Sequence, residues 1–391
     1  MDKLKEACCG KKSQNEETKC TRRSKWNPCW SDTRHHHPIP KGGPPLQIYE
    51  LRRGSCDPRT GAPKPGCHID QGEHICHKYA YVTLATNDTY ALGCLVLGES
   101  LRRVQTQHET VVMVTRHVSS NMKAALFQFF NYVVQYDILD SKDAANLALL
   151  ERPELGVTFT KLHCWTLTAY QKAVFLDADT MVVRNCDEIF ENYDEFSATP
   201  DIGWPDCFNS GVFVYTPSMK TYETLINFTK TNRSFDGGDQ GILNMFFNDW
   251  PTADIKKHLP FIYNMVASIN YSYRPAFRFF SQSVKIVHFL GAKKPWNVYY
   301  DVKKQSIQSI HGLPNDTGDL VKFWWKIFME GVLPQIGNDM AGDASHIINR
   351  CREMFATPDS EHKETSAAGE QNEANMDTYA DVRSIILAEV S

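Results

Sequence analysis

The stretch Ala173-Val174-Phe175-Leu176-Asp177-Ala178-Asp179-Thr180-Met181-Val182-Val183 decides how the chain is read. Apolar residues run into two carboxylates separated by one small residue, and more apolar residues follow. The pattern predicts a buried strand whose carboxyl end delivers Asp177 and Asp179 to a crevice. Open α/β sheets bind ligands at that end of their strands. Two neighbouring hard oxygen donors suit Mg²⁺ or Mn²⁺, and such an ion in turn holds a diphosphate. A metal-dependent enzyme acting on a phosphorylated donor is the reading that follows.

An Asp-x-Asp in an exposed loop is usually a solvated turn. Here the apolar run leads the carboxylates out of a buried strand, where two charges need a cation or hydrogen-bond donors. A haloacid-dehalogenase-like phosphatase also places Asp-x-Asp after an apolar strand. Its motif usually opens the domain and carries Thr or Val at the fifth place. This chain has Met181 there and the motif lies mid-chain, which disfavours the phosphatase.

Outward from this stretch, strands and helices alternate. Strands are expected over 80–86, 110–115, from Tyr132, over 211–215 and over 285–289. Helices are expected over 90–103, 119–130, 160–170, 220–229, 240–250 and 320–331. Such alternation predicts an α/β fold with a parallel, doubly wound sheet. The 391 residues, 42% of them hydrophobic, suffice for one large core with tails. A net charge of -4 gives no basic stripe, so no nucleic-acid partner is expected. No apolar run is long enough to span a membrane, and Met1 to Glu6 show no signal-peptide core. A cytoplasmic location is the expectation.

Residues 1–78 are charged, punctuated by Pro and Gly, and without either hydrophobic period. They read as a disordered extension. Seven of the twelve cysteines (Cys8, Cys9, Cys20, Cys29, Cys56, Cys67 and Cys76) precede the first strand, and no Cys-x-x-Cys pair marks a zinc site. With His35, His36 and His37 they make a Cys/His-containing tail of reduced thiols. Residues 337–376 read as a flexible linker, and 377–391 as a docking helix or a frayed end.

Two further clusters bear on chemistry. Asp236-Gly237-Gly238-Asp239-Gln240-Gly241 flanks two carboxylates and an amide with glycines, so backbone can approach a ligand closely. A tight turn with Asp239 capping a helix explains it about equally well. His288 ends an apolar strand and is followed by Gly291, Lys293 and Lys294. A lone histidine on such a strand is more often a core residue than a ligand. With the basic loop beside it and the two aspartates, it completes a candidate Mn²⁺/diphosphate site, in which imidazole favours Mn²⁺ slightly.

Several segments carry a resemblance that extends from about Tyr79 to Gln335. They are 83–88 (TLATND), 152–158 (RPELGVT), 160–165 (TKLHCW), 177–180 (DADT), 204–213 (WPDCFNSGVF), 235–241 (FDGGDQG) and 256–264 (KKHLPFIYN). In these the chain resembles glycosyltransferase family 8, and within it the glycogenins. The resemblance implies a GT-A glycosyltransferase fold over 79–336, with a Rossmann-like, mainly parallel sheet and helices on both faces. It implies a retaining, UDP-glucose-dependent glucosyltransferase that glucosylates itself and builds a short α-1,4-glucan primer for glycogen. Asp177, Asp179 and His288 match the family's Mn²⁺ ligands. Leu84, Thr86, Asn87 and Tyr90 match its uridine pocket. Arg152, Lys161 and Lys294 match basic residues near the diphosphate, with Gly291 in the loop that closes on it. Ala178 lies between the two metal aspartates. Asn209, Ser210, Asp236, Asp239 and Gln240 match groups around the transferred sugar.

In glycogenins the acceptor tyrosine lies in a segment shaped like Ile-Tyr-Ser-Tyr, and Tyr271 holds the matching position, with Tyr273 next in order. The resemblance assigns catalytic parts to Asp239, Lys161 and Tyr271. It leaves open whether the configuration is retained through a glycosyl-enzyme on Asp239 or through same-face internal return. A homodimer and a glycogen synthase partner are implied as well, although 377–391 matches the synthase-binding signature only loosely. Two other readings stand beside this one: a family 8 transferase with a separate acceptor, and a non-catalytic scaffold that recruits glycogen synthase.

Overall fold

A computed structural model describes residues 77–356 apart from 268–270, 272, 302–303, 305, 308–314 and 338–343. Residues 1–76 of the expected 1–78 extension, the residues flanking Tyr271 and the 377–391 segment lie outside the described residues, while His77 and Lys78 open the first strand. The chain runs β1 (His77–Ala85), α1 (Asp88–Arg103), β2 (Glu109–Val114), α2 (Ser120–Leu126), β3 (Tyr132–Gln135) and α3 (Ala144–Leu149). A 3₁₀ run, Pro153–Thr166, leads into β4 (Tyr170–Leu176), β5 (Thr180–Val182) and α4 (Ile189–Asn192). Then come β6 (Ser197–Pro200), β7 (Phe208–Tyr215), α5 (Met219–Thr231) and α6 (Asp239–Phe246). β8 (Met265–Val266), α7 (Arg274–Ser281), β9 (Ile286–His288), α8 (Asn315–Ile327) and α9 (Ser345–Ala356) follow.

Six strands form one sheet in the order β3-β2-β1-β4-β7-β6. The first four are parallel, while β7 runs antiparallel to both β4 and β6. The chain order reverses between β1 and β4, and a crevice opens beyond the carboxyl ends of strands at such a point. Alternate residues of each strand enter different cores. Ala80, Val82, Phe175, Phe213 and Tyr215 pack with Leu225 of α5 and with Ile242 and Leu243 of α6. Tyr81, Val174, Leu176, Val212 and Val214 pack on the other face with Leu97 and Leu101 of α1. Both faces are thus covered by helices, which is why these strands read as continuous apolar runs.

Two pairings build the site. Because β7 is antiparallel, with Leu176 opposite Val212, its first residues lie beside the turn that follows β4. Asp177 N–H donates to Gly211 O at 2.8 Å. A small second sheet, β5-β9-β8, sets Thr180 opposite His288 across about a hundred residues of chain.

The structure differs from the sequence expectations in the sheet, expected parallel but mixed because β7 runs against both its neighbours, and in three further places. The helix expected over 160–170 is a 3₁₀ run from Pro153 to Thr166, and Tyr170 opens β4. Threonine hydroxyls take carbonyls three residues back, Thr158 Oγ1 to Leu155 O at 2.6 Å and Thr166 Oγ1 to His163 O at 2.8 Å, which favours the tighter winding. The helix expected over 320–331 ends at Ile327 and continues as a π turn, Phe328–Val332. Finally, part of the 337–376 linker is helix α9, whose Ile347, Ile348 and Cys351 are buried in the core beside Trp324 and Phe328. Those apolar residues recur on one helical face, and their burial outweighs the polar composition around them.

Candidate active site

Asp177 and Asp179 leave the β4–β5 turn as the sequence predicts, and His288 joins them from the end of β9. One ligand atom from each lies within 4.8 Å of the others. Two carboxylate oxygens and one imidazole nitrogen suit a divalent cation. Helix α1 passes directly beneath this turn. A Cβ on Gly93 would lie 2.2 Å from Ala178 O and 2.5 Å from the Trp296 ring, so the helix can approach only as glycine.

Two buried lysines answer the negative charge. Lys161 Nζ lies 2.8 Å from Asp177 Oδ1 and 2.6 Å from Asp239 Oδ2, tying the metal corner to the start of α6. Burial works against its charge, but Asp177 and Asp239 outweigh it and hold the ammonium well above the ordinary lysine range. Lys294 is paired with the second oxygen of Asp179 and also donates to Phe289 O at 3.0 Å. Burial pushes the Asp179 carboxyl up, yet Lys294 and His288 overcome it and hold the group well below its usual range. Asp177 goes the other way. Burial beside Asp179 and Asp239 raises it to about 6 against the pull of Lys161. Two adjacent aspartates are thus poised differently because only one has a cation to itself.

Around the corner runs a polar network. Ser210 Oγ donates to Asp239 Oδ2 at 2.8 Å, and Ser210 O accepts from Lys161 Nζ at 3.1 Å. Gln240 Oε1 accepts from Asn209 Nδ2 and from Ser210 N–H, both at 3.2 Å. Asp201 Oδ2 accepts from Asn209 Nδ2 at 3.1 Å and Gln240 Nε2 at 3.2 Å. Asn264 links Asn209 to His288 through contacts of 2.9 Å on each side. Asn264 and Asp201 were missed in the sequence, where nothing local distinguishes them; Asn264 is 24 residues from the histidine it touches.

The other expected site residues are spread around this centre. Leu84 is buried at the end of β1, and Thr86 O accepts from Thr115 Oγ1 at 2.6 Å. Asn87 caps α1 by accepting from Tyr90 N–H at 2.9 Å. Tyr90 meets Trp296 edge-on with centroids 5.6 Å apart, and it lies close to Arg152, which pairs with Glu154. Gly291 has φ +102, a conformation that favours glycine, with open space where a Cβ would be. Asp236 spends Oδ1 on its own loop, accepting from Ser234 Oγ at 2.7 Å and the N–H groups of Gly238 and Gly241 at 2.8 and 3.1 Å.

Tyr271 stands at one remove from the cluster. Its ring stacks on Phe277 at 5.2 Å and meets Phe261 edge-on at 5.0 Å. Its hydroxyl accepts from Val266 N–H at 3.0 Å, and burial pushes its pKa up to about 12. Tyr271, Asn209, Asn264, Ile202 and His258 line one cavity of about 820 Å³. Tyr273 is 72% exposed.

Comparison with known proteins agrees with this geometry. The sequence profile described as glycosyl transferase family 8 matches residues 81–299. Glycogenin-1 of Homo sapiens is 56% identical over 256 residues, covering 65% of this chain and 73% of its own. Glycogenin-1 of Oryctolagus cuniculus is 52% identical over 283 residues, covering 68% and 85%. Glycogenin-2 of Homo sapiens is 47% identical over 317 residues, covering 80% of this chain and 60% of its own. With the profile spanning more than half of the chain and such identity over most of these relatives, the chain belongs to glycosyltransferase family 8, in its glycogenin branch, and has the GT-A fold of a glycosyltransferase.

Proposed function

We propose that this enzyme takes glucose from UDP-glucose, attaches it to its own Tyr271 and extends it as a short α-1,4-glucan that primes glycogen. The observation that carries the reading is the joining of Asp177, Asp179 and His288 to Asp239 through Lys161, beside a cavity that Tyr271 lines. The donor set fits Mn²⁺, and Asp177, Asp179 and His288 would hold it. When bound, the ion neutralises charge on the diphosphate leaving group.

The chain's own residues supply the rest. Leu84, Thr86, Asn87 and Tyr90, at the carboxyl end of β1, form the wall for uridine. Arg152 and Lys294 carry positive charge toward the diphosphate, and the Gly291 turn brings its backbone over it. Lys161 holds Asp239 in register with Asp177, so a carboxylate faces the sugar as positive charge develops at its anomeric carbon. Ser210, Asn209 and Gln240 orient the sugar hydroxyls, and Asp236 shapes the loop that presents Asp239. The Tyr271 hydroxyl is protonated at neutral pH, so as its oxygen bonds the anomeric carbon and the bond to UDP breaks, its proton passes to the departing phosphate oxygen. The similarity to glycogenins is the ground for proposing a cytoplasmic homodimer with glycogen synthase as its partner.

A second reading, a transferase with a separate acceptor, has one observation in its favour: the Tyr271 hydroxyl is engaged by Val266 N–H and its ring is packed between two phenylalanines. Incubation of the full chain with UDP-glucose and Mn²⁺, followed by intact mass spectrometry, tests the proposal. A ladder of added hexoses that chelation by EDTA prevents is expected. Turnover of UDP-glucose with no hexose on the protein would favour the separate acceptor, and no turnover at all would favour a scaffold.

A further inference from the structure

We infer that Asn264 is a positioning residue that fixes which nitrogen of His288 faces the metal; this rests on the metal reading of the site given above. The chain of bonds begins at a backbone group that can act only as a donor. Gly211 N–H can only donate, and it lies 3.0 Å from one side-chain atom of Asn209, which must therefore be the carbonyl oxygen. The other end of that amide faces Asp201 Oδ2 at 3.1 Å, a carboxylate oxygen that accepts, so the same orientation satisfies both.

From there each choice forces the next. The Asn264 atom 2.9 Å from Asn209 Oδ1 must be the amide nitrogen. Its oxygen then faces His288 Nδ1, also at 2.9 Å. A carbonyl cannot donate, so Nδ1 carries the hydrogen. Once the ring is neutral, as a metal ligand must be, it has one N–H, and the lone pair sits on Nε2, the atom 3.4 Å from Asp179 Oδ1. Asn209 and Asn264 are each 3% exposed and His288 1%, so bulk water does not compete for these bonds.

The first link also explains a glycine. A Cβ at position 211 would lie 2.3 Å from His288 Cε1 and 2.9 Å from Asn209 Oδ1, so Gly211 lets the ring and the amide close on the strand together. One chain of hydrogen bonds thus runs from Asp201 and Gln240, through Asn209 and Asn264, to His288 Nδ1, across the ring from the metal-facing nitrogen. The amide proposed to orient the sugar and the imidazole proposed to bind the metal share one brace.

The test uses the full-length protein labelled with ¹⁵N-histidine, without sugar donor. His288 signals are assigned by their loss in His288→Gln. Wild type and Asn264→Asp, which keeps an acceptor oxygen, are expected to hold a hydrogen on Nδ1, and Asn264→Leu to show a mixture of tautomers. In Mn²⁺ titrations followed by electron paramagnetic resonance, Asn264→Leu should bind about 10- to 100-fold more weakly, and Asn264→Asp within about threefold of wild type. Asn264→Asp gives up the donor to Asn209, so its glucosyl transfer should fall while its metal affinity holds. A bare Nδ1 in the wild type, or wild-type Mn²⁺ affinity in Asn264→Leu, would overturn the inference. The wild-type tautomer decides the matter even if Asn264→Leu does not fold. A wild type that binds no Mn²⁺ would refute the metal reading instead, and the tautomer measurement would still judge Asn264.

Discussion

Asp179 and Tyr271 flank the same small sheet and are held in opposite ways. Asp179 is a buried charge gripped by Lys294 and His288, and its carbonyl accepts from Phe289 N–H at 2.8 Å. Tyr271 is a neutral ring packed on Phe261 and Phe277, with its hydroxyl occupied by a backbone donor of β8. The metal corner is built before any substrate arrives, since its lysines hold the carboxylates in place. The proposed acceptor wall is a packed surface from which the hydroxyl would have to be released. On the proposed function, preorganisation is spent where charge would develop, and Tyr271 would give up one hydrogen bond to react.

Predictions follow that contrast, beginning with the metal corner. Asp179→Asn removes the carboxylate that both Lys294 and His288 address, and glucosyl transfer should fall by about a thousandfold, measured with UDP-glucose under saturating Mn²⁺. Unchanged turnover would mean that the corner is structural. Lys161→Met leaves Asp177 and Asp239 without their shared cation. The metal-free protein should lose on the order of 3 kcal/mol of stability in urea unfolding, whereas a surface pair would cost almost nothing.

Proton competition comes next. Partial burial beside two other carboxylates pushes the Asp177 carboxyl up to about 6, while Lys294 and His288 hold Asp179 well below the usual carboxylate range. Mn²⁺ affinity should be flat above pH 6 and fall about tenfold per pH unit below it, as one proton contests Asp177. An affinity independent of pH between 5 and 7 (about two units spanning that value) would contradict this poise. On the acceptor side the smallest effect is expected: Tyr271→Phe loses only its bond from Val266 N–H, about 1 kcal/mol of stability by thermal or urea unfolding.

The same contrast separates what could be read in the sequence from what could not. The turn at Asp177 and Asp179 was legible because strand, turn and carboxylates are neighbours in the chain, and a strand's carboxyl end has a known place in an open sheet. His288 was a weak signal by itself; its pairing opposite Thr180 depends on a second sheet that no local pattern announces. Asn264 and Asp201 act through side-chain bonds to residues far along the chain or across a loop, and polar residues of that kind look alike in a sequence. The 3₁₀ run was mistaken for a helix because threonine back-bonding alters the winding without altering which residues are apolar. Helix α9 was hidden by polar neighbours, although Ile347, Ile348 and Cys351 mark its buried face.

The central claim is that the chain is its own acceptor at Tyr271, served by the metal corner. Intact mass spectrometry of wild type and Tyr271→Phe, each freed of any prior glucan and then given UDP-glucose and Mn²⁺, tests it most directly. The account predicts a hexose ladder on the wild type, mapped to Tyr271 by peptide fragmentation, and an unmodified mass for Tyr271→Phe. The same ladder on Tyr271→Phe, or a wild type that consumes UDP-glucose and stays unmodified, would contradict it.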